Sequence, residues 1–213
     1  MRRSRLSSPP CFLDELESQA EDQPDDLPRW RRTQRDRLIA DRLGLGVAIR
    51  SLYARQMAER LNRFLPDLTN CTVSGYWPCK GEPDLRPWLS SLGIRGARGA
   101  LPVIVEKNTA LRFRLWRASD PLEKGIWNIP HPASGAEVDP DIVIVPLVGF
   151  DCAGYRLGYG GGYFDRTLAV APNRPRIIGV GYAQSRLETI HPQPHDVPMD
   201  VIVTESEALE YER

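Results

Sequence analysis

The stretch RLGYGGGYFD, Arg156 to Asp165, sets an arginine ahead of four glycines and an aspartate behind them, with Tyr159, Tyr163 and Phe164 interleaved. It follows the apolar run DIVIVPLVGF (Asp141 to Phe150) and leads into helical character near Phe164 to Leu168. Glycine lacks a Cβ, so the backbone there can take positive φ and approach a ligand closely. The N–H groups that open a helix have no partner within it, so a turn from strand to helix suits an anion. In open α/β sheets such turns lie beyond the carboxyl ends of the strands, where ligands bind. Arg156 can meet phosphate with two donors. Asp165 can hold Mg2+, which takes one or two carboxylates together with phosphate oxygens and water. The run is not a Walker A loop, because no Lys-Ser or Lys-Thr pair exists, and Gly158, Gly160, Gly161 and Gly162 do not keep the GxGxxG spacing. A lone glycine cluster is more often a structural turn. The arginine, aromatics and aspartate at fixed offsets are what favour a ligand.

Other groups read less specifically. Arg31, Arg32, Arg35, Arg37 and Arg42 lie on a helix that begins at Trp30, with Leu38, Ile39 and Leu43 as its apolar positions. Arginine-rich helices are usually solvated faces, yet this cluster is dense enough to serve an anion. Glu82 alone is an ordinary surface acid, although it sits between a strand end and PDL. Trp77 and Trp127 read as core or groove aromatics, and the same flat surfaces suit a stacked ring. His131, His191 and His195 lack metal-ligand spacing, and Cys11, Cys71, Cys79 and Cys152 form no CxxC pair, so free thiols in a reducing cytoplasm are expected. No Ser-His-Asp or Cys-His set presents itself.

An α/β alternation positions these groups. A second helix is expected from Val47 to Leu65, ended by Pro66. Strands are expected at Cys71 to Trp77, Gly99 to Glu106, Ala110 to Trp116, Asp141 to Phe150, Arg176 to Tyr182 and Asp200 to Glu205, with a short helix in PDLRPWLSSLG. The run at Asp141 is apolar throughout, as a strand covered on both faces must be. The fold expected is one α/β domain, a largely parallel central sheet flanked by helices in a Rossmann-like three-layer arrangement. The chain has 213 residues with 28 basic and 28 acidic side chains, so broad attraction to nucleic acid or an anionic membrane is not expected. No stretch is long enough to span a bilayer, and no apolar run follows the basic start, so neither a secretory signal nor a membrane partner is expected. Residues 1–28, rich in Pro, Ser and acids, read as a disordered tail, and 29–213 as the domain.

The segment VPLVGFDCAGYRLGYGGGYFDRTL (Val145 to Leu168) strongly resembles the signature of the 5-formyltetrahydrofolate cyclo-ligase family. YWPCKGEPD (Tyr76 to Asp84), GIWNIPHP (Gly125 to Pro132) and HDVPMDVIVTE (His195 to Glu205) resemble its companion stretches, in order, so the likeness covers about residues 30 to 205. The resemblance implies ATP- and Mg2+-dependent conversion of 5-formyltetrahydrofolate, with or without a polyglutamate tail, by a cytoplasmic monomer. It implies Arg156 and Glu82 as catalytic residues. It implies an ATP site of Arg31, Arg35, Arg156, Leu157, Gly158, Tyr159, Gly160, Gly161, Gly162, Tyr163 and Phe164, with Arg32 as the alternative to Arg31. Trp77, Glu82, Trp127, Tyr159, Gly160, Gly161, Gly162 and Tyr163 would contact folate, and Asp165 and Asp196 would hold the metal. Departures from the family pattern fall at Arg31, where Lys is usual, at Phe164, where Tyr is common, and at His131, where Glu or Gln is usual. They leave a second reading, a regulatory paralogue that binds nucleotide or folate without turnover.

Overall fold

The computed structural model describes residues 23–212, so the expected tail up to residue 22 lies outside the described residues. Helix α1 spans Leu27–Gly44, and its start is set locally: the Asp26 carboxylate accepts the Arg29 amide at 3.0 Å and Pro28 sits in the first turn. Leu27, Arg31, Arg35, Leu38 and Arg42 recur every three or four residues and share one face. Helix α2, Val47–Phe64, buries Ala54, Met57 and Leu61 at the same periodicity.

The strands are β1 (Thr72–Ser74), β2 (Arg98–Val103), β3 (Arg112–Leu115), β6 (Ile142–Pro146), β9 (Arg176–Val180), β10 (Val201–Val203) and β11 (Ala208–Glu210), which form one seven-stranded sheet. Its order is β11-β10-β9-β6-β1-β2-β3. The five central strands run parallel, while β3 and β11 close the edges antiparallel. The alternation of the central strands divides the core in two. Ile142 and Ile144 of β6, with Val73, Ile178 and Val201, pack under α2 and the short helix α3 (Arg86–Ser91). Val143 and Val145, with Ile177, Ile202 and Phe113, pack on the opposite side against helix α4 (Tyr163–Ala169). This is the expected three-layer arrangement.

Three features differ from the sequence-based expectation. The apolar run from Asp141 is not one strand. β6 stops at Pro146, the Leu147 amide still reaches Val180 O at 3.0 Å, and the Val148 amide already turns to Leu157 O at 3.0 Å. The chain then makes a hairpin of β7 (Gly149–Phe150) and β8 (Arg156–Leu157) outside the main sheet. The cause is α1, which lies across this hairpin at the carboxyl end of β6: Leu38 packs with Val148, Leu157 and Ile190. A Cβ on Gly149 would fall 2.7 Å from a Leu38 methyl, so the close approach needs glycine. Strand β11 is not among the expected strands. Neither is the hairpin of β4 (Leu122–Lys124) and β5 (Pro130–Pro132), whose loop holds Trp127 and Asn128, both at φ 58.

Candidate active site

Helix α1, the β7–β8 hairpin with the glycine turn, the turn after β1 and the segment before β10 converge at the carboxyl edge of the sheet. Three arginines meet there. Arg31 donates to Asp196 Oδ2 at 2.6 Å and to His191 O at 2.8 Å. Arg35 donates from Nε to Gly158 O at 2.7 Å. Arg156, only 6 % exposed, pairs with Asp165 at 2.9 Å. Arg32 is exposed on the other side of α1, so Arg31 is the member of that pair that faces the body.

The charge on these groups is unevenly matched. Arg31 and Arg156 each have a carboxylate, whereas Arg35 has none within ion-pair distance among the described residues. Burial pulls the Arg35 guanidinium below its ordinary value and the neighbouring Arg31 charge adds to this. Burial does the same to Arg156, which Asp165 and Asp196 oppose. Both stay cationic at neutral pH. The Nε atoms of Arg156 and Arg166 are shut off from solvent without a hydrogen-bond partner among the described residues. Buried donors left unsatisfied are costly. The unmatched positive charge of Arg35, which the glycine turn contacts directly, is what suits an anion.

The glycines shape the space. Gly160 (φ +88) and Gly162 (φ +63) take left-handed backbone, and a Cβ on Gly160 would sit 3.3 Å from the Arg35 Cζ. Gly160→Ala is expected to cost about 1–2 kcal/mol in stability from backbone strain, and to push Arg35 aside, raising the KM for the anionic ligand. Thermal unfolding and ligand titration of the variant check both. Leu157 is packed into the α1–hairpin core, and Phe164 lies under the Arg156 guanidinium, 5.9 Å from ring centroid to Cζ. Tyr163 carries Arg166 over its face and meets Trp127 edge-on at 5.4 Å. Trp127, 59 % exposed, therefore stands over the turn, whereas Trp77 packs under Arg86 at 4.4 Å and edge-on to Trp116.

Glu82 is joined to this turn directly. It is 6 % exposed, accepts the Tyr159 hydroxyl at 2.9 Å through Oε1 and the Cys79 amide at 2.8 Å through Oε2. Burial raises its carboxyl above the ordinary value, against the opposing pull of the Cys79 amide, Arg42 and Tyr159. Asp165 Oδ1 accepts the Val197 amide at 3.1 Å, and Asp196 Oδ2 accepts the Gln193 amide at 2.7 Å. Burial works to raise Asp196, but the Arg31 hydrogen bond, the Gln193 amide and nearby positive charge outweigh it and hold the carboxyl low. No group of three His, Cys, Asp or Glu side chains able to hold a metal occurs among the described residues. Asp165 and Asp196 lie beside these arginines as separate carboxylates, and Mg2+ takes one or two carboxylates together with phosphate oxygens and water.

Sequence reasoning missed Arg166, Cys79 and Asp151, and it named Arg42 only as one of a cluster of arginines. Arg42, 2 % exposed, donates to the Tyr159 hydroxyl, to Lys80 O at 2.7 Å and to Leu147 O at 3.3 Å. It falls on the α1 face that carries Leu38, but nothing local separates it from the other arginines of the helix. Arg166 reaches back to Gly161 O. Cys79 places its Sγ 3.5 Å from the Tyr159 hydroxyl. Asp151 closes the hairpin turn, accepting the Ala153, Tyr155 and Ile190 amides. His195 lies 3.8 Å from Asp196, and His131 pairs with Glu123 at 3.6 Å. A cavity of about 570 Å³ behind α4, lined by Leu111, Phe113, Val143 and Thr167 among others, contains none of the expected site residues.

Fold and site define a class: a three-layer α/β protein in which a cluster of arginines meets a glycine-rich turn hydrogen-bonded to a buried carboxyl group. The family model for the 5-formyltetrahydrofolate cyclo-ligase family matches residues 28–205. The chain belongs to that family. It is 32% identical over 187 residues to 5-formyltetrahydrofolate cyclo-ligase of Mycolicibacterium smegmatis, covering 83% of this chain and 94% of the relative. It is 30% identical over 164 residues to that of Escherichia coli, covering 74% and 90%. Its fold is similar to the 5,10-methenyltetrahydrofolate synthetase of Aquifex aeolicus, with TM-score 0.72 and 28% identity over 86% of this chain and 93% of the other. The Mycoplasma pneumoniae synthetase gives TM-score 0.66 and 25% identity, with 82% and 98% covered.

Proposed function

We propose that this protein converts 5-formyltetrahydrofolate to 5,10-methenyltetrahydrofolate with ATP, releasing ADP and phosphate. The observation that carries the reading is the hydrogen bond from Tyr159 to Glu82: a residue of the anion-binding turn touches the buried acid expected to meet folate. This contact supports a reading in which phosphate donor and formyl group meet at one place, and such positioning supplies much of the catalysis of a phosphoryl transfer.

In this reading the formyl oxygen attacks the γ-phosphorus and ADP departs. The folate N10 then adds to the activated carbon, phosphate leaves carrying the former formyl oxygen, and N10 gives up its proton. Arg35, Arg31 and Arg156 spread the negative charge on the transferring group, and the turn from Leu157 to Phe164 walls the pocket. Trp127 offers a flat surface at the mouth, and Trp77 a second one beside the turn after β1. Glu82, held above the ordinary carboxylate range by burial, is placed to take the N10 proton. Asp165 and Asp196 are the carboxylates that would hold Mg2+, which supplies charge neutralisation across the phosphates. Both now face arginines, so the metal would share each carboxylate.

Mixing protein, 5-formyltetrahydrofolate and Mg-ATP is expected to produce the absorbance of the conjugated methenyl product. A protein that binds both ligands and gives no product is instead a binding paralogue. Asp165→Asn is expected to raise the KM for Mg-ATP about tenfold or more, the loss of one strong charged contact. It is also expected to lower stability, because the buried Arg156 loses its counter-charge. Turnover against Mg2+ concentration, corrected for folded fraction, checks this. An unchanged Mg2+ dependence would remove Asp165 from the metal site.

A further inference from the structure

The Arg42 guanidinium is buried at the junction of four segments. It sits on α1, donates to Lys80 O in the turn after β1 and to Leu147 O beyond β6, and meets the Tyr159 hydroxyl of the glycine turn. Tyr159 donates its own proton to Glu82 Oε1 at 2.9 Å. The contact to Leu147 O is buried and the others are partly so, and hydrogen bonds to a charged group strengthen as water is excluded. The ring of Tyr159 also lies close to two cations, with Arg42 Cζ 5.7 Å and Lys80 Nζ 5.3 Å from its centroid. Arg42 has no carboxylate of its own within ion-pair distance among the described residues. A buried cation without a direct counter-charge carries a desolvation cost that its hydrogen bonds must offset.

We propose that Arg42 is a positioning residue of this site: by fixing the Tyr159 hydroxyl it orients Glu82 toward the folate, from the same helix face that brings Arg31 and Arg35 to the nucleotide. The proposal rests on the cyclo-ligase reading for its substrate, but the link itself is a property of the folded protein. The charged and titratable groups facing Glu82 are Arg42 from α1, Tyr159 from the glycine turn, Cys79 and Tyr76 from its own segment, and Tyr182 beyond β9. Arg42 supplies the positive charge among them, so its removal should leave Glu82 harder to ionise. A residue that merely filled space would not do this.

The experiment has two arms. First, NMR of the full chain with isotope-labelled glutamate carboxyl groups, Glu82 being assigned by its loss in Glu82→Gln, follows the titration without any ligand. Glu82 in Arg42→Met is expected to titrate at higher pH than in the wild type, with Arg42→Lys in between. Second, turnover of Arg42→Met is expected to lose about a hundredfold in kcat/KM for the folate, the scale of a misplaced catalytic group. The acid limb of its pH profile should move up, and the KM for ATP should hardly change. An unmoved Glu82 titration and acid limb, with both KM values rising together, would overturn the proposal. Should Arg42→Met fail to fold, Tyr159→Phe cuts the same link from the other side. It must also raise the Glu82 titration, or the proposal falls. If the wild type itself shows no turnover, the cyclo-ligase reading fails, and the titration arm alone still decides the Arg42 link.

Discussion

Arg156→Met is expected to lower ATP-dependent turnover by about a hundred- to a thousandfold, the effect of deleting one preorganised donor from a site where charge develops. Arg156 is buried at the root of the glycine turn, its Nη2 holds Asp165 at 2.9 Å and its Nε has no partner among the described residues. In the proposed reading the Arg156 charge at the root of the turn steadies the transferring phosphate, so the loss should appear in kcat and not only in KM. The same change leaves Asp165 without its counter-ion, which destabilises by about 3–5 kcal/mol in a buried pair. Stability and catalysis are separated by Arg156→Lys. It restores positive charge and most of the fold, but a single ammonium cannot reach carboxylate and phosphate in the fork geometry of a guanidinium. Kinetics of both variants, normalised to the folded fraction from circular dichroism, should show Arg156→Lys folded and still slow. A lysine variant with wild-type kcat would mean that charge alone suffices.

Glu82→Gln is expected to reduce kcat by about a hundredfold or more, the usual worth of a positioned acid–base group, while ATP binding stays intact. The amide oxygen can accept from the Cys79 N–H while the amide NH2 donates to a Tyr159 hydroxyl turned to accept, so the fold should hold. Stability even has a predictable sign. Burial raises the Glu82 carboxyl in the folded state, so the protonated form is the one folding favours. The wild type gains from this at acid pH, and the gain is lost as pH rises through the folded-state value. At neutral pH Glu82→Gln should therefore be at least as stable as the wild type, and in acid the wild type should regain ground. Denaturant melts of the two proteins across this range, with isothermal titration of ATP, measure every part of the expectation. A variant that loses ATP binding as well would place Glu82 on the nucleotide side.

Much of this is readable in the residues. The runs at Ile142–Pro146 and Arg176–Val180 are largely apolar, because both faces of these strands are covered, and α2 shows its buried stripe plainly. The glycine turn declares itself through Arg156 and Asp165 at fixed offsets. What the sequence hides depends on contacts far apart along the chain. The end of β6 at Pro146 follows from α1 crossing the hairpin, and only the Leu38–Gly149 approach reveals it. Arg42 looks like one more solvated arginine until the turn after β1 and Tyr159 close over it. Trp127 stands out in sequence as a flat apolar surface, but its left-handed backbone is imposed by the tight β4–β5 loop, which no local preference of tryptophan suggests. Strand β11 is three residues long with exposed ends, too short for an alternation to show.

The transfer of phosphate to the formyl oxygen can be followed by labelling that oxygen with its heavy isotope. After turnover with unlabelled ATP in unlabelled water, mass spectrometry of the released phosphate should find one heavy oxygen in each phosphate formed. Phosphate free of label, with the heavy oxygen in water instead, would contradict direct attack of the formyl group on ATP, and with it the part assigned to the arginine-rimmed turn in that transfer.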